Sequence, residues 1–368
     1  MKILLTGGRG FIGSNIYYQL KDFYQMEITI YKKEKEDLEK CITDTDLIIH
    51  FAGINRSQNS EDFKLINFDL TKIICKICKK NKLNIPIIYS STIRAEDDSV
   101  YGNSKLLAEK ELIKYSKEMN AEVSILRLPN IFGKWCKPNY NSVVATFCNN
   151  IANNLEIKIH DNNTILNLLY IDDLVSIVHD LIRKKLPYQQ YPIINNNFHI
   201  SLKDLAEMIY SFRNSRKNLN IEDYGKGLKK YLYSTYLTYL PKNKFSYSLK
   251  ENKDHRGIFS EIFKTDSSGQ VSMFTINPNE IRGGHYHHTK TEKFLVISGK
   301  AKFRSKNIIN NEFVENIYTD KNLEIIETIP GWSHDIINIG NDITKILVWA
   351  NEKFDINKPD TILSEVNE

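Results

Sequence analysis

The chain has 368 residues, 41% hydrophobic and 26% charged, the balance of a globular protein long enough for two domains. No apolar run approaches the ~18–20 residues of a membrane span, and the chain begins directly on a strand, leaving no room for a signal peptide. Five cysteines, an odd and sparse set, fit a reducing, cytoplasmic compartment, and a net charge of +5 spread along the chain suits a small anionic substrate without requiring nucleic acid.

Ile3, Leu4 and Leu5 lead into Gly7, Gly10 and Gly13, after which Phe11, Ile12, Ile16 and Leu20 recur at helical spacing. The pattern predicts a buried strand, a tight turn and a helix start. Glycines tolerate positive φ and let backbone approach a ligand, and the helix aims free N–H groups at a phosphate. This is a dinucleotide-binding signature. Residues 27–31 read as a second strand, followed by Lys32 and Lys33 where an NAD-specific fold carries an acid for the ribose 2′-hydroxyl. Two cations there, with Arg9 in the turn, favour a 2′-phosphate and hence NADPH. The plainer alternative is solvated lysines in a lysine-rich chain.

A third buried strand over 46–53 ends in Ala52 and Gly53, small residues that fit a ligand crevice; His50 within it reads as a satisfied core histidine. A helix carrying Leu65, Ile66, Leu70, Ile73, Ile74 and Ile77 follows. Cys75 and Cys78 lie in that pattern with no second pair, and read as buried thiols. With a strand over 85–92, the alternation predicts βαβ units and an α/β doubly wound (Rossmann) sheet.

Chemistry enters at the end of that strand, with Ser90, Ser91 and Thr92, and at Tyr101 and Lys105, which share one face of the next predicted helix. An ammonium beside a phenol lowers its pKa from about 10 towards neutrality, making Tyr101 a general acid or base. A hydroxyl from Thr92 or Ser91 can hold the substrate oxygen. Tyr-x-x-x-Lys alone says little; behind this glycine turn and hydroxyl cluster it is specific.

Arg127, Asn130 and Gly133 add an R-x-x-N-x-x-G pattern, and Tyr170, Asp172 and Asp173 precede a late helix. With these marks, residues 1–245 resemble the extended short-chain dehydrogenases/reductases. The resemblance implies that Thr92, Tyr101 and Lys105 are catalytic. It implies that Gly7, Arg9, Gly10, Phe11, Ile12, Gly13, Lys32, Lys33, Phe51, Ala52, Gly53 and Lys105 meet the cofactor. Ser91, Arg127, Asn130, Lys134 and Lys137 are expected at the nucleotide sugar, although Arg127 and Asn130 read equally well as helix-end and loop hydrogen bonders. Asp172 and Asp173 read as helix caps and dipole partners. Two departures narrow the reaction. The related 4,6-dehydratases follow the catalytic Thr with Asp-Glu, where Ile93 and Arg94 stand here, and the 4-epimerases usually carry the missing acid after strand two. Net ketone reduction is the better reading.

Residues 224–248 read as a linker with one or two short helices. Beyond it, apolar runs at 271–276, 294–297, 301–304, 323–326 and 346–349 alternate with turns and predict an all-β jelly roll over 246–368. His285 and His287, two apart on a strand, point the same way, Glu292 arrives from the next strand, and His334 follows in P-G-x-x-H-x-x-x-N. Three histidines and a carboxylate suit a divalent metal with an open position, zinc being the expectation; a polar pocket without metal is the alternative. These motifs resemble the cupins. His288 faces away and reads as a surface residue. Residues 254–261 and the Arg282–His285 stretch also resemble the 3,5-epimerases of deoxyhexulose nucleotides, where a histidine at the His285 position is a base without metal. His287 and Glu292 depart from that pattern, so the residue that moves the proton stays open.

A reductase followed by a cupin epimerase, in this order and length, resembles the CapF-type bifunctional enzymes of capsular polysaccharide synthesis across essentially the whole chain. That resemblance implies a UDP-linked 2-acetamido-2,6-dideoxy-4-hexulose substrate on the route to UDP-N-acetyl-L-fucosamine. A homodimer, with no nucleic acid and no membrane insertion, is expected. The C3 proton is acidic only while C4 is a ketone, so epimerisation must come first. Two rivals are a reductase with a structural cupin and a non-catalytic NADPH-sensing module. The metal set speaks against the former, and intact Thr92, Tyr101 and Lys105 against the latter.

Overall fold

β1 (Lys2–Thr6) lies inside the first sheet with Ile3, Leu4 and Leu5 all buried, as an uninterrupted apolar run in a parallel sheet requires. The computed structural model describes residues 1–32, 37–357 and 359–367. β2 (Glu27–Ile30), β3 (Leu47–His50), β4 (Ile87–Thr92) and β5 (Val123–Leu128) complete a five-stranded sheet in the order β2-β1-β3-β4-β5. All four pairings are parallel. The chain leaves β1 on one side to form β2 and returns on the other to form β3. That reversal is a topological switch point, and open α/β sheets bind ligands outside the carboxyl ends of the strands there. Thr6 and His50 end the two strands that flank it.

The Leu70–Lys80 and Val100–Met119 helices cover one face, packing Ile74, Leu112 and Tyr115 against Leu4, Ile48 and Tyr89. Cys75 and Cys78 are buried in this layer, and burial pushes the Cys78 thiol up to about 11 and Cys75 higher still. They are core residues. A small sheet of β6 (Asn130–Phe132), β7 (Ile165–Tyr170) and β8 (Phe198–Ser201) follows. Asp172 and Asp173 do lie in the first turn of the Ile171–Ile182 helix, but its cap position is Tyr170 and carries no side-chain cap bond. The expected capping by the aspartates is not observed: Asp172 accepts Lys134 Nζ at 2.8 Å and Gln19 Nε2 at 2.5 Å instead.

The chain divides into two units, Met1–Ser211 with Gly225–Pro241, and Phe212–Tyr224 with Lys242–Glu368. Residues 219–221 go with the second because they pair with a strand of it: Ile221 N–H donates to the Lys264 carbonyl at 2.8 Å, and Lys264 N–H to Leu219 at 2.9 Å.

That unit is all-β. Its first sheet contains β9 (Asn252–Asp254), β10 (Gly257–Lys264), β11 (Gln270–Ile276), β13 (Glu292–Ser298), β16 (Ile326–Glu327) and β18 (Thr344–Ala350). The second contains β12 (Ile281–Tyr286), β14 (Lys300–Asn307), β15 (Phe313–Thr319), β17 (Trp332–Asn338) and β19 (Ile362–Leu363). Phe274, Phe294, Val296 and Ile346 of the first sheet share one core with Ala301, Phe303 and Ile336 of the second. Each such large side chain stabilises by about 1.5–3 kcal/mol when fully buried. The run at 323–326 is mostly not a strand. Leu323 and Ile325 face solvent, and only Ile326 enters the core, so the apolar pattern there marks surface. Among the described residues no helix is long and apolar enough to cross a membrane.

Candidate functional site

The glycine turn closes over the switch point. Gly7 has φ +76°, and a Cβ there would lie 2.6 Å from the Phe51 carbonyl and the Ala52 nitrogen. At Gly13 a Cβ would meet the Gly7 oxygen at 2.2 Å. The turn therefore presses backbone against backbone, and only glycine allows it. Gly10 is the cap position of the Phe11–Tyr24 helix, with no side-chain cap bond and no acid in the first turn. Free N–H groups and an uncompensated positive dipole end are what a phosphate needs. Phe11 and Ile12 open this helix, Arg9 and Lys32 are exposed at the two strand ends, and Lys33 lies outside the described residues. Beneath the turn, His50 is fully buried, with Nδ1 2.7 Å from Thr6 Oγ1 and Nε2 2.8 Å from Thr71 Oγ1. Burial, with Lys105 nearby, pushes it down to about 3, so it is a neutral structural residue.

Thr92 ends β4, and Tyr101 sits in the first turn of the Val100–Met119 helix, whose start is fixed by Gly102 N–H donating to Ser99 Oγ at 3.0 Å. Thr92 is the polar neighbour that favours the ionised form of the Tyr101 phenol. Lys105 is buried, donates to the Ser90 carbonyl at 2.8 Å, and would stand 3.0 Å from a Cβ on Gly53. Strand end, helix and switch point thus bring Thr92, Tyr101 and Lys105 to one place. The expected lowering of the phenol does not appear. Burial raises Tyr101 above its usual pKa, outweighing the Thr92 bond and the Arg94 charge, while Lys105 is turned to a carbonyl. Burial also lowers Lys105 to about 8. Tyr101 is a protonated phenol, the form that donates.

The proposed sugar contacts are arranged differently. Ser91 donates to Glu109, and Arg127 makes a fork onto the same carboxylate, 3.1 Å from Nε and 2.8 Å from Nη2. Tyr191 adds a third donor at 3.0 Å, and Arg127 Nη1 reaches Glu96 at 2.7 Å. Glu109 is wholly buried, and nothing in the sequence reading singled it out. Its one signal is an acid four residues after Lys105 on the same helix face. Lys134 is paired with Asp172, whereas Asn130 and Lys137 are exposed.

In the second unit, His285 on β12 stands opposite His334 on β17, past a bulge at Gly283. His287 follows β12 and Glu292 opens β13. The ligand atoms of all four lie within 4.8 Å of one another. Glu292 Oε2 is 3.3 Å from His287 Nε2 and 3.5 Å from His334 Nε2, with Lys290 Nζ 3.2 Å from Oε1. Nδ1 of the buried His334 makes no hydrogen bond, and its Nε2 has only the Glu292 carboxylate, at 3.5 Å. A buried polar group without a partner is costly, and a cation among these donors would satisfy it. Burial and the neighbouring histidines lower His285 to about 4, which leaves it in the neutral ligand form. Burial alone would raise Glu292, but His287, His334 and Lys290 hold it ionised. The set fits a divalent transition metal. His288 is exposed, as expected.

Residues 3–195, over half the chain, match the NAD dependent epimerase/dehydratase family. The chain belongs to that family. Residues 252–362 match the polysaccharide biosynthesis C-terminal domain. This family member is 44% identical to a UDP-2-acetamido-2,6-beta-L-arabino-hexul-4-ose reductase of Pseudomonas aeruginosa, over 100% of both chains. Its structure resembles the capsular polysaccharide assembling protein CapF from Staphylococcus aureus, with TM-score 0.90 and 37% identity over 99% of this chain and 100% of that one. A UDP-glucuronic acid 4-epimerase from Bacillus cereus, in complex with NAD, shares the fold of the first unit at TM-score 0.51 and 21% identity, covering 58% of this chain and 84% of that one. Its likeness to the CapF type runs the whole length of the chain.

Proposed function

We propose that the first unit is an NADPH-dependent reductase of a UDP-linked 2-acetamido-2,6-dideoxy-4-hexulose, and that the second epimerises C3 of the same sugar beforehand. One observation carries this: the chain matches a 4-hexulose reductase end to end, and its first unit carries Thr92 at the end of β4 with Tyr101 and Lys105 on the Val100–Met119 helix. A hydride for C4 is what a nicotinamide cofactor would supply when bound. Tyr101, protonated, gives its proton to the ketone oxygen as charge develops there, and Thr92 orients both hydroxyl and oxygen. Lys105, a buried cation bonded to the Ser90 carbonyl in the resting site, would turn from it to stabilise the phenolate left behind until solvent restores the proton. Arg9 and Lys32, with Lys33, favour a 2′-phosphate on the cofactor. Exposed Asn130 and Lys137 are the better candidates for the nucleotide sugar, because Ser91, Arg127 and Lys134 already have carboxylate partners.

In the second unit, read as a jelly-roll cupin, His285, His287, Glu292 and His334 would hold a divalent ion, zinc in this reading. Lewis acidity at the ketone oxygen is what such an ion supplies when bound, and it makes the C3 proton easier to remove. The product lies towards UDP-N-acetyl-L-fucosamine for capsular polysaccharide. A cytoplasmic homodimer, with the domain boundary near residue 245, belongs to the same reading. The test is to supply the 4-keto sugar with NADPH and follow nicotinamide absorbance. Absence of oxidation would reject the reductase, and equal kcat/KM with NADH would reject the choice of cofactor.

A further inference from the structure

Past β18 the chain returns to the four-residue centre of the second unit. β19 adds to the edge of β12, with Leu363 opposite His285 and Ile362 opposite Tyr286. Ser364 N–H donates to the Gly284 carbonyl at 2.9 Å, Ser333 Oγ donates to the Ser364 carbonyl, and Val366 is buried. This terminal strap is built into the sheet. Just before it, the Asp360 carboxylate receives three successive backbone N–H groups: His288 at 2.9 Å on Oδ1, and Thr289 at 2.7 Å and Lys290 at 2.8 Å on Oδ2. Thr289 Oγ1 adds a fourth bond at 3.1 Å. Asp360 also offers its main-chain carbonyl to His287 Nδ1.

Two consequences follow for the centre. A carbonyl only accepts, so His287 must carry a proton on Nδ1, which reserves Nε2, 3.3 Å from Glu292 Oε2, for a cation. The clamped turn also ends at Lys290, whose ammonium takes Glu292 Oε1 and leaves Oε2 turned towards the histidines. Such outer partners fix ligand tautomer and orientation in metal sites. Three converging N–H donors need an acceptor with no hydrogens of its own; an amide would turn its NH2 towards some of them.

We propose that Asp360 is the positioning residue of this centre, setting the tautomer of His287 and, through the Lys290 turn, the single oxygen that Glu292 presents. The proposal rests on reading His285, His287, Glu292 and His334 as a divalent-metal site. If Asp360 were merely a loop clamp, its loss would lower the melting temperature and leave the ligands alone.

The test compares wild type, Asp360→Ala and Asp360→Asn as full chains. Zinc affinity is measured by competition with a chromophoric chelator, and the His287 tautomer by 15N NMR of histidine-labelled, metal-free protein. Wild type should bind one zinc per chain and show His287 protonated on Nδ1. Asp360→Ala should bind about 10–100-fold more weakly, with mixed tautomers, and Asp360→Asn should fall between. Unchanged affinity together with an unchanged tautomer in Asp360→Ala overturns the proposal, even if the variant melts earlier. Should wild type bind no zinc, the metal reading fails, and the tautomer comparison alone decides the role of Asp360. If Asp360→Ala does not fold, Asp360→Asn answers both questions.

Discussion

At Tyr101, burial and hydrogen bonding pull the phenol in opposite directions, and burial wins. A raised phenol pKa suits a residue that must arrive protonated and give its proton to an alkoxide. Replacing Tyr101 by Phe removes that proton, and losing a general acid costs about 10²–10⁴ in rate. We expect that loss in kcat for ketone reduction, with NADPH affinity little changed, checked by steady-state kinetics and cofactor titration. Lys105 makes the pH dependence specific. Burial lowers its pKa to about 8, so it is an ammonium below that value and a neutral amine above. The charged form stabilises the phenolate, so kcat should fall as pH rises through about 8, the value to which burial brings Lys105. A profile that stays flat across that region, or the same alkaline limb in Lys105→Met, would remove Lys105 from the role. The Tyr-x-x-x-Lys spacing made this pair legible in the sequence. The direction of the phenol shift was not, because it depends on how deeply the helix end is buried and on Lys105 turning to Ser90.

Glu109 acts at the scale of elements. It sits in the Val100–Met119 helix and takes bonds from Ser91 at the end of β4, Arg127 at the end of β5 and Tyr191 beyond. One carboxylate thus ties the helix that carries Tyr101 to the strand that carries Thr92. Removing one partner of a buried ion pair costs about 3–5 kcal/mol. Arg127 keeps exposed Glu96 and some water, so Glu109→Ala should fall at or below the low end of that range. Chemical denaturation followed by near-UV signals of the first unit would measure it, and a loss within ±0.5 kcal/mol, the range of a surface substitution, would mean the network does not brace the site. Strands and helices of the first unit were readable because apolar runs and helical spacing repeat locally. Glu109 was not, since its partners are 18 and 82 residues away. In the second unit the same limit appears in reverse. The 323–326 run reads as a strand, yet whether an apolar residue faces core or water is decided by which sheet edge it meets.

Across the whole molecule, each unit holds one of the two groups of residues that the proposed reactions need: Thr92, Tyr101 and Lys105 in one, His285, His287, Glu292 and His334 in the other. Both sets were legible as motifs, because local spacing on a helix or strand fixes most of each. The terminal strap with Asp360 was not, as it approaches His287 from 73 residues away. Two separate sets predict two separable reactions on one substrate. A proton at C3 is removable only while the C4 ketone can take the charge as an enolate, so exchange at C3 needs the ketone but no hydride. In D2O without NADPH, Tyr101→Phe should therefore still replace the C3 hydrogen of the 4-keto sugar by deuterium, seen as loss of its 1H signal and a gain of one mass unit. His334→Ala removes a donor from the buried centre and should stop that exchange. It should leave NADPH oxidation intact on a 4-keto sugar already holding the final C3 configuration. Loss of exchange in Tyr101→Phe would mean that one site performs both steps, and a separate epimerase in the second unit would be untenable.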